Sequence, residues 1–211
     1  MSMILEGLVT TLDADGAPHL APMGPRFDPA QPDHFLLRPF PTAQTCQNLL
    51  RHPQGVFHIT DDALLLAQAA IGRLPSFPPV HPAARIRGVV LQDCCRYYEF
   101  IIEEVDTRQE RVQMQARVVH QGRVRDFIGF HRARHAIVEA AILATRVHLL
   151  PQEEVIAEFG KLWRIVQKTG DAAEYQAMTL LEEYVQAAAV RRARNNPDGG
   201  PEPPQEHQRE R

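Results

Sequence analysis

Apolar and polar positions change period along this chain, from a spacing of two in its first half to three and four after residue 130. That predicts strands first and helices last. β-Branched and aliphatic residues crowd positions 3 to 12, and Asp13-Ala14-Asp15-Gly16 is a turn signal before a second run, Pro18 to Met23. The chain is therefore expected to open on a β-hairpin. A strand over Phe35 to Leu37, a short amphipathic helix with Cys46, Leu49 and Leu50 on one face, and a strand over Val56 to Thr60 follow. Asp61 or Asp62 then caps a helix over Ala63 to Ala70 that stops at Gly72.

Residues 73 to 85 hold enough proline to exclude regular structure and read as a crossing loop. From Ile86 to Val124 the β pattern returns as a long hairpin with its turn over Asp106 to Arg111, and the adjacent Cys94 and Cys95 are expected to face opposite sides of a strand. From Phe130 the spacing is helical: Ala133, Ile137, Ala140, Ala141 and Ala144 share one face. Pro151 opens a further helix with Val155, Phe159, Leu162 and Val166 inward, and Asp171 with Glu174 form a capping box for a last one through about Val190, with Met178, Leu181 and Val185 inward. Trp163 and Tyr175 are expected in the core of this helical part.

Composition narrows the classes. A length of 211 residues with 44% hydrophobic content can bury one good core, and a net charge of −3 with scattered basic residues gives no case for nucleic acid. Three cysteines without metal spacing argue against a disulfide framework and suit a reducing cytoplasm. No run of about 18 apolar residues is present to cross a membrane, and MSMILEG lacks the features of a signal peptide.

The chemistry this arrangement of residues would suit is phosphate binding. Thr42 is the expected N-cap of the short helix, and its hydroxyl, that of Thr45, the free helix-terminal N–H groups and the guanidinium of Arg38 or Arg51 together suit a phosphate monoester. The competing reading is an ordinary cap beside a solvated arginine. A second candidate is the ridge of Arg132, His135, Glu139 and Arg146, which is either functional or a surface salt-bridge row. His131 and His135 lie four apart, but no H-E-x-x-H pattern or third ligand accompanies them, so no metal is assigned.

The motifs E-G-L-V-T-T-L (6 to 12), A-P-M-G-P (21 to 25), R-P-F followed by T-x-x-N-L (38 to 40, 45 to 49), G-V-F-H-I-T-D-D (55 to 62), Y-E-F (98 to 100) and A-x-x-A-x-x-E-A-A-I-L-A-T-R (133 to 146) resemble collinear motifs of the FMN-binding split barrels of the flavin-reductase type. The resemblance is nearest to an uncharacterised subgroup with a helical C-terminal part. It implies an α+β fold in which a split barrel of about six antiparallel strands (1 to 127) precedes a helical subdomain (128 to 190). The charged, proline-rich composition of residues 191 to 211 predicts a disordered tail. The resemblance also implies FMN. The phosphate is expected on Arg38, Thr42 and Thr45, with Asn48 ordering the loop, and the ring and ribityl chain on Met23, Gly24, His58 and Thr60.

A homodimer with flavin at the subunit junction is a further implication. Pro41-Thr42-Ala43 departs from the family's usual hydroxyl-rich loop and implies weaker binding or greater reliance on backbone N–H groups. Three functions stay open: an FMN- or deazaflavin-dependent oxidoreductase taking electrons from a nicotinamide donor to a small molecule, a flavin-binding protein without turnover, and an interaction module with an empty flavin site.

Overall fold

The N-terminal run forms strands because both of its faces are covered by apolar neighbours. In the computed structural model, which describes residues 2–195, β1 (Met3–Ile4) is short and exposed, whereas β2 (Gly7–Leu12) is buried at every position. Leu8 belongs to an apolar cluster built mainly by helices, and Val9 to a second cluster inside the curled sheet. The alternation is that of a strand with two covered faces. Asp13 closes the turn that follows: its Oδ1 accepts from the N–H groups of Asp15 and Ala17 at 2.9 and 2.8 Å, and Gly16 takes a φ of +83°. Only glycine adopts that φ freely. β3 (Pro18–Met23) then pairs along the whole of β2.

β4 (Arg26–Phe27), β5 (His34–Leu37), β6 (Gln54–Ile59), β7 (Val80–Pro82), β8 (Val89–Leu91), β9 (Arg96–Asp106) and β10 (Gln113–Arg123) complete the strands. Eight of the ten form one antiparallel sheet, in the order β1-β4-β5-β10-β9-β6-β2-β3. The expected count of about six covers its longer strands, and β1 and β4, of two residues each, extend one edge. The sheet curls into a half-barrel around Phe27, Phe35, Phe57 and Phe100. Phe27 and Phe35 have ring centroids 4.9 Å apart, and Phe35 meets Phe100 edge-on at 5.2 Å. Each such pair adds about 0.5–1.5 kcal/mol beyond the area it buries.

Among the described residues five helices surround this sheet: α1 (Gln44–Arg51), α2 (Ala63–Ala70), α3 (Arg132–Thr145), α4 (Gln152–Thr169) and α5 (Ala172–Asn195). α3 packs closely because its inward face is nearly all alanine, with Ala133, Ala136, Ala140, Ala141 and Ala144 buried beside Ile137. Leu8 and Leu20 of the opening hairpin share a cluster with α3, α4 and α5, so one core runs from the outer face of the barrel into the helices. Asp171 and Glu174 make the expected box, the Asp171 N–H donating to Glu174 Oε2 at 3.0 Å. The Trp163 ring meets Tyr175 edge-on at 5.8 Å, although Tyr175 is itself exposed.

Three expectations are corrected. Residues 73–85 are not wholly irregular, because β7 pairs with β8, and Pro82 sits at the strand's last position where its missing N–H breaks no ladder. Cys94 and Cys95 precede β9 and are both buried. The backbone of Cys95 bridges elements instead, donating to Ile59 O and accepting from Val124 N–H. α5 continues through Asn195, into the segment expected to be a disordered tail, and the rest of that segment lies outside the described residues. Among the described residues no helix is long and apolar enough to cross a membrane.

Candidate functional site

The turn after β5 sets up the first half of the site. Ala43 N–H donates to Phe40 O at 3.0 Å, and this turn absorbs Thr42, so the N-cap of α1 is Ala43 and not Thr42 as expected. No side chain caps the helix and its first turn holds no acid. Its first internal bond runs from Gln47 N–H to Ala43 O, which leaves the N–H groups of Gln44, Thr45 and Cys46 without intrahelical acceptors. Thr45 is buried in this first turn. An open, positive helix end is the consequence.

Arginines surround that end. Arg38 leaves β5 with its Nε buried and unpartnered, the one such side-chain atom among the described residues. Leaving a buried donor unpaired costs about 1–3 kcal/mol, more for a charged group, so such an atom calls for a partner. The Arg111 guanidinium lies 4.0 Å over the Phe40 ring. Burial, followed by repulsion from Arg146 and Arg38, lowers the Arg111 pKa from its ordinary value. Three guanidinium groups therefore share one field.

Asn48 does not face this cradle. Fully buried, it donates to Thr11 Oγ1 at 2.9 Å and accepts from Gln44 Nε2 at 2.8 Å, and so ties α1 to β2. Its expected part was to order the loop, and these bonds fix the start of α1 from within.

His58 is corrected more sharply. It was expected to project toward a ring, yet it is fully buried, with Nδ1 3.2 Å from Leu8 O and Nε2 accepting from Leu91 N–H at 3.1 Å. β6 lies between β2 and β9 and is covered by β8, so a side chain on that face reaches only protein. Burial first, eased by the bond to Leu8, pulls the His58 pKa down to about 4, and the ring is neutral. Thr60 lies past the end of β6, where its hydroxyl accepts from Asp62 N–H at 3.1 Å.

The glycine of the A-P-M-G-P motif is needed for a close approach, but to this chain's own side chains. A Cβ on Gly24 would stand 2.8 Å from Ile4 Cγ2 and 2.9 Å from Glu6 Oε1. The side of Gly24 on which a Cβ would stand is thus filled by Ile4 and Glu6, and Met23 is half-buried against the barrel core. Glu6 is set beside the Met23–Gly24 backbone as a result.

Glu6 also lines a cavity of about 340 Å³ between the end of β6, the start of α2 and the side of α3, together with Thr60, Leu66, Phe127, His135 and Glu139. Of the expected ridge, His135 and Glu139 reach this cavity; Arg132 is exposed outside it. Desolvation, then the charge of Glu139, raises the Glu6 pKa, with Arg146 acting the other way.

Beneath the cavity is a charge hub that the sequence reading passed over. Asp61 accepts from Arg125 Nη2 at 2.6 Å and from Ile128 N–H at 3.0 Å, and Arg134 Nη1 lies 3.4 Å away. Arg134 Nε continues to Glu174 Oε1 at 3.0 Å. Burial opposes the Asp61 charge, but these donors outweigh it and hold its pKa below the usual carboxylate value. Asp62 is the helix cap, accepting from Leu65 N–H at 2.9 Å. The doublet Asp61-Asp62 was a legible signal for one cap; the partners of the other residue lie 64 and 73 positions away in sequence.

A half-barrel with helices on its outer face, and a cationic helix end beside its fifth strand, is a split barrel. The family described as protein of unknown function (DUF447) matches this sequence with its N-terminal domain over residues 5–125 and with its second part over residues 131–183, and the chain belongs to that family. The crystal structure of an FMN-bound protein of the same family from Methanosarcina mazei is similar at a TM-score of 0.75 and 20% identity, over 87% of this chain and 96% of that one. A 2-nitrobenzoate 2-nitroreductase from Pseudomonas fluorescens aligns at a TM-score of 0.48 and 15% identity, over 56% of this chain and 63% of its own. The flavin reductase of styrene monooxygenase from Pseudomonas putida S12 aligns at 0.48 and 12%, over 57% and 81%. No curated protein matches the sequence.

Proposed function

We propose that the chain binds FMN and uses it as an oxidoreductase acting on a small molecule. The observation that carries this reading is the buried, partnerless Nε of Arg38 beside the uncapped start of α1. A phosphate monoester would supply the missing acceptor, take the Gln44, Thr45 and Cys46 N–H groups, and neutralise the field shared by Arg38, Arg111 and Arg146. The Methanosarcina relative, matched over nearly its whole length, is FMN-bound.

Arg38, Arg111, Thr45 and the α1 amides would hold the phosphate. The ring and ribityl chain belong along the Met23–Gly24 backbone and Thr60, which Glu6 links to the cavity. Bound there, FMN would supply hydride and electron transfer, and the protein's share is to hold it, aim it and exclude water. A cavity alongside favours turnover over storage, because a carrier needs no space for a second molecule. The homodimer reading is supported by Phe127, Ile128 and Phe130, which are 48, 64 and 96% exposed on the segment leading into α3.

Titration of the purified protein with FMN, followed by absorbance between about 300 and 550 nm and by fluorescence quenching, tests the assignment. Saturable binding that Arg38→Ala weakens is the expected result, and absence of binding by the native chain overturns it. Anaerobic bleaching of the bound flavin by NADH or NADPH separates turnover from binding alone.

A further inference from the structure

We infer that the cavity bounded by Glu6 and Glu139 is the substrate pocket of this flavin site and that it accepts a compound carrying a cationic, N–H-rich head group, an ammonium or amidinium, on an apolar body. The inference rests on the FMN reading for its position beside the ring. Its charge preference stands on the pocket alone.

The volume of about 340 Å³ is at the small end of the range, about 300–1,000 Å³, in which proteins hold small ligands. One wall is apolar, made by Ala63 and Leu66 of α2, Val138 of α3 and Phe127 of the segment before it. Charges decide what the rest accepts. Four carboxylates line the pocket, those of Glu6, Asp61, Asp62 and Glu139, against one guanidinium, that of Arg134.

Most of these charges are already spent within the protein. Asp61 is taken by Arg125, Arg134 and the Ile128 N–H, Arg134 is also held by Glu174, and Asp62 caps α2. His131 caps α3, its Nδ1 accepting from Arg134 N–H at 3.4 Å, and His135 meets the Phe130 ring edge-on at 5.9 Å. Glu6 and Glu139 remain, with no hydrogen-bond or ion-pair partner among the described residues. Both side chains are exposed at the cavity rim; burial first and then the charge of Glu139 raise the Glu6 pKa, and a cation beside the two would relieve that repulsion.

A carboxylate pair with one apolar wall selects donors over acceptors. Amidinium matches a carboxylate with two parallel N–H bonds, whereas an anion would meet repulsion from both acids. Arg146, the cation that offsets Glu6, stands in the field of Arg38 and Arg111. The site is thus polarised, with its positive end at the proposed phosphate and its negative end at the proposed substrate.

Three near-isosteric probes test this: benzamidine, benzamide and benzoate, cationic, neutral and anionic in turn. Their binding to the full chain is measured by isothermal calorimetry and saturation-transfer NMR, with and without FMN at saturation. Benzamidine is expected to bind about tenfold or more tighter than benzamide, the worth of one charge-assisted hydrogen bond, and benzoate weakest. Glu6→Gln with Glu139→Gln should erase that preference while the circular dichroism spectrum and urea midpoint stay unchanged. Equal affinities, a preference for benzoate, no detectable benzamidine binding, or a preference that survives in the double variant would each overturn the inference.

Displacement of benzamidine by FMN would also overturn it, by making the cavity the ring's own seat. If the native chain takes no FMN yet ranks the probes as expected, the flavin reading fails and the cation preference stands. FMN binding with no benzamidine binding is the reverse case.

Discussion

Arg38 just past the end of β5 and Asp61 just past the end of β6 each bring a buried polar atom to the end of a strand, and their surroundings are opposite. Arg38 keeps a buried Nε with nothing to donate to, whereas Asp61 accepts from Arg125 and Ile128 and lies beside Arg134. A satisfied buried charge holds a fold together; an unsatisfied one is tolerated where a ligand completes it. The two should therefore separate under mutation, the cradle governing affinity and the hub governing stability.

The largest effect expected is on FMN. Replacing both Arg38 and Arg111 with alanine removes two guanidinium groups from one anion. Hydrogen bonds to charged groups contribute about 1.5–3 kcal/mol each, so affinity should fall by about two orders of magnitude or more. Arg38→Ala alone should cost about tenfold. Since it also removes a buried atom without a partner, the unliganded protein should unfold in urea at the same concentration as the native one, or a higher one. A large loss of stability with unchanged FMN affinity would make Arg38 a structural residue and abolish the contrast.

Asp61→Ala is the converse. It strips an acceptor from Arg125, Arg134 and the Ile128 N–H at once and frees the segment that leads into α3. Breaking a buried pair costs about 3–5 kcal/mol, but the Arg125 side chain is 36% exposed, so solvent screens part of this and about 2–3 kcal/mol is expected. Urea unfolding measures it. FMN affinity at temperatures where the variant is folded should change by less than about threefold, because no cradle residue contacts the hub.

His58 belongs with the hub in kind, since both of its ring nitrogens are engaged. Its folded pKa, about 4, lies below the ordinary 6.5, so between those values the unfolded chain binds a proton that the folded chain does not. Stability then rises with pH through that window: it is complete above about 6.5 and is lost progressively toward 4, by roughly 2–4 kcal/mol in all. Asp61, whose folded pKa is depressed, adds a loss only as pH falls below its unfolded value of 3.8. Melting temperatures between pH 7.5 and 4.5 should therefore decline in the native chain, on the order of several degrees. In His58→Gln the decline should flatten. A native profile with no slope there would mean that the imidazole is charged or solvated in the fold.

How much of this was legible in the sequence depended on distance along the chain. β3 and α2 were read at their observed bounds, because a turn signal and a capping aspartate are local. The alanine face of α3 was equally plain from its spacing. The cradle was half legible: Arg38 and Thr45 fall within one short stretch, but Arg111 reaches it from the far end of the β9–β10 hairpin. His58 and Thr60 share parity and looked alike, yet β6 ends between them, leaving one in the core and the other at the cavity. Glu6 stood inside the E-G-L-V-T-T-L motif without a role, since only the fold brings Glu139 to it. Arg134 sat one turn position from the expected ridge and proved more central than Arg132, and nothing local distinguishes the two arginines.

The smallest effect gives the sharpest reading of the cradle, because it compares two threonines three residues apart. Thr42 is exposed on the turn and caps nothing, whereas Thr45 is buried in the first turn of α1 among its free N–H groups. If the phosphate rests on the α1 N-terminus, Thr45→Val should weaken FMN binding by about three- to tenfold, one hydrogen bond of about 1 kcal/mol, with volume kept. Thr42→Ala should then change it by less than about twofold. Fluorescence titration of the two variants side by side decides the order. Were Thr42 the more sensitive, the phosphate would lie on the outside of the Phe40–Ala43 turn, away from the helix end, and the orphaned Nε of Arg38 would need another partner.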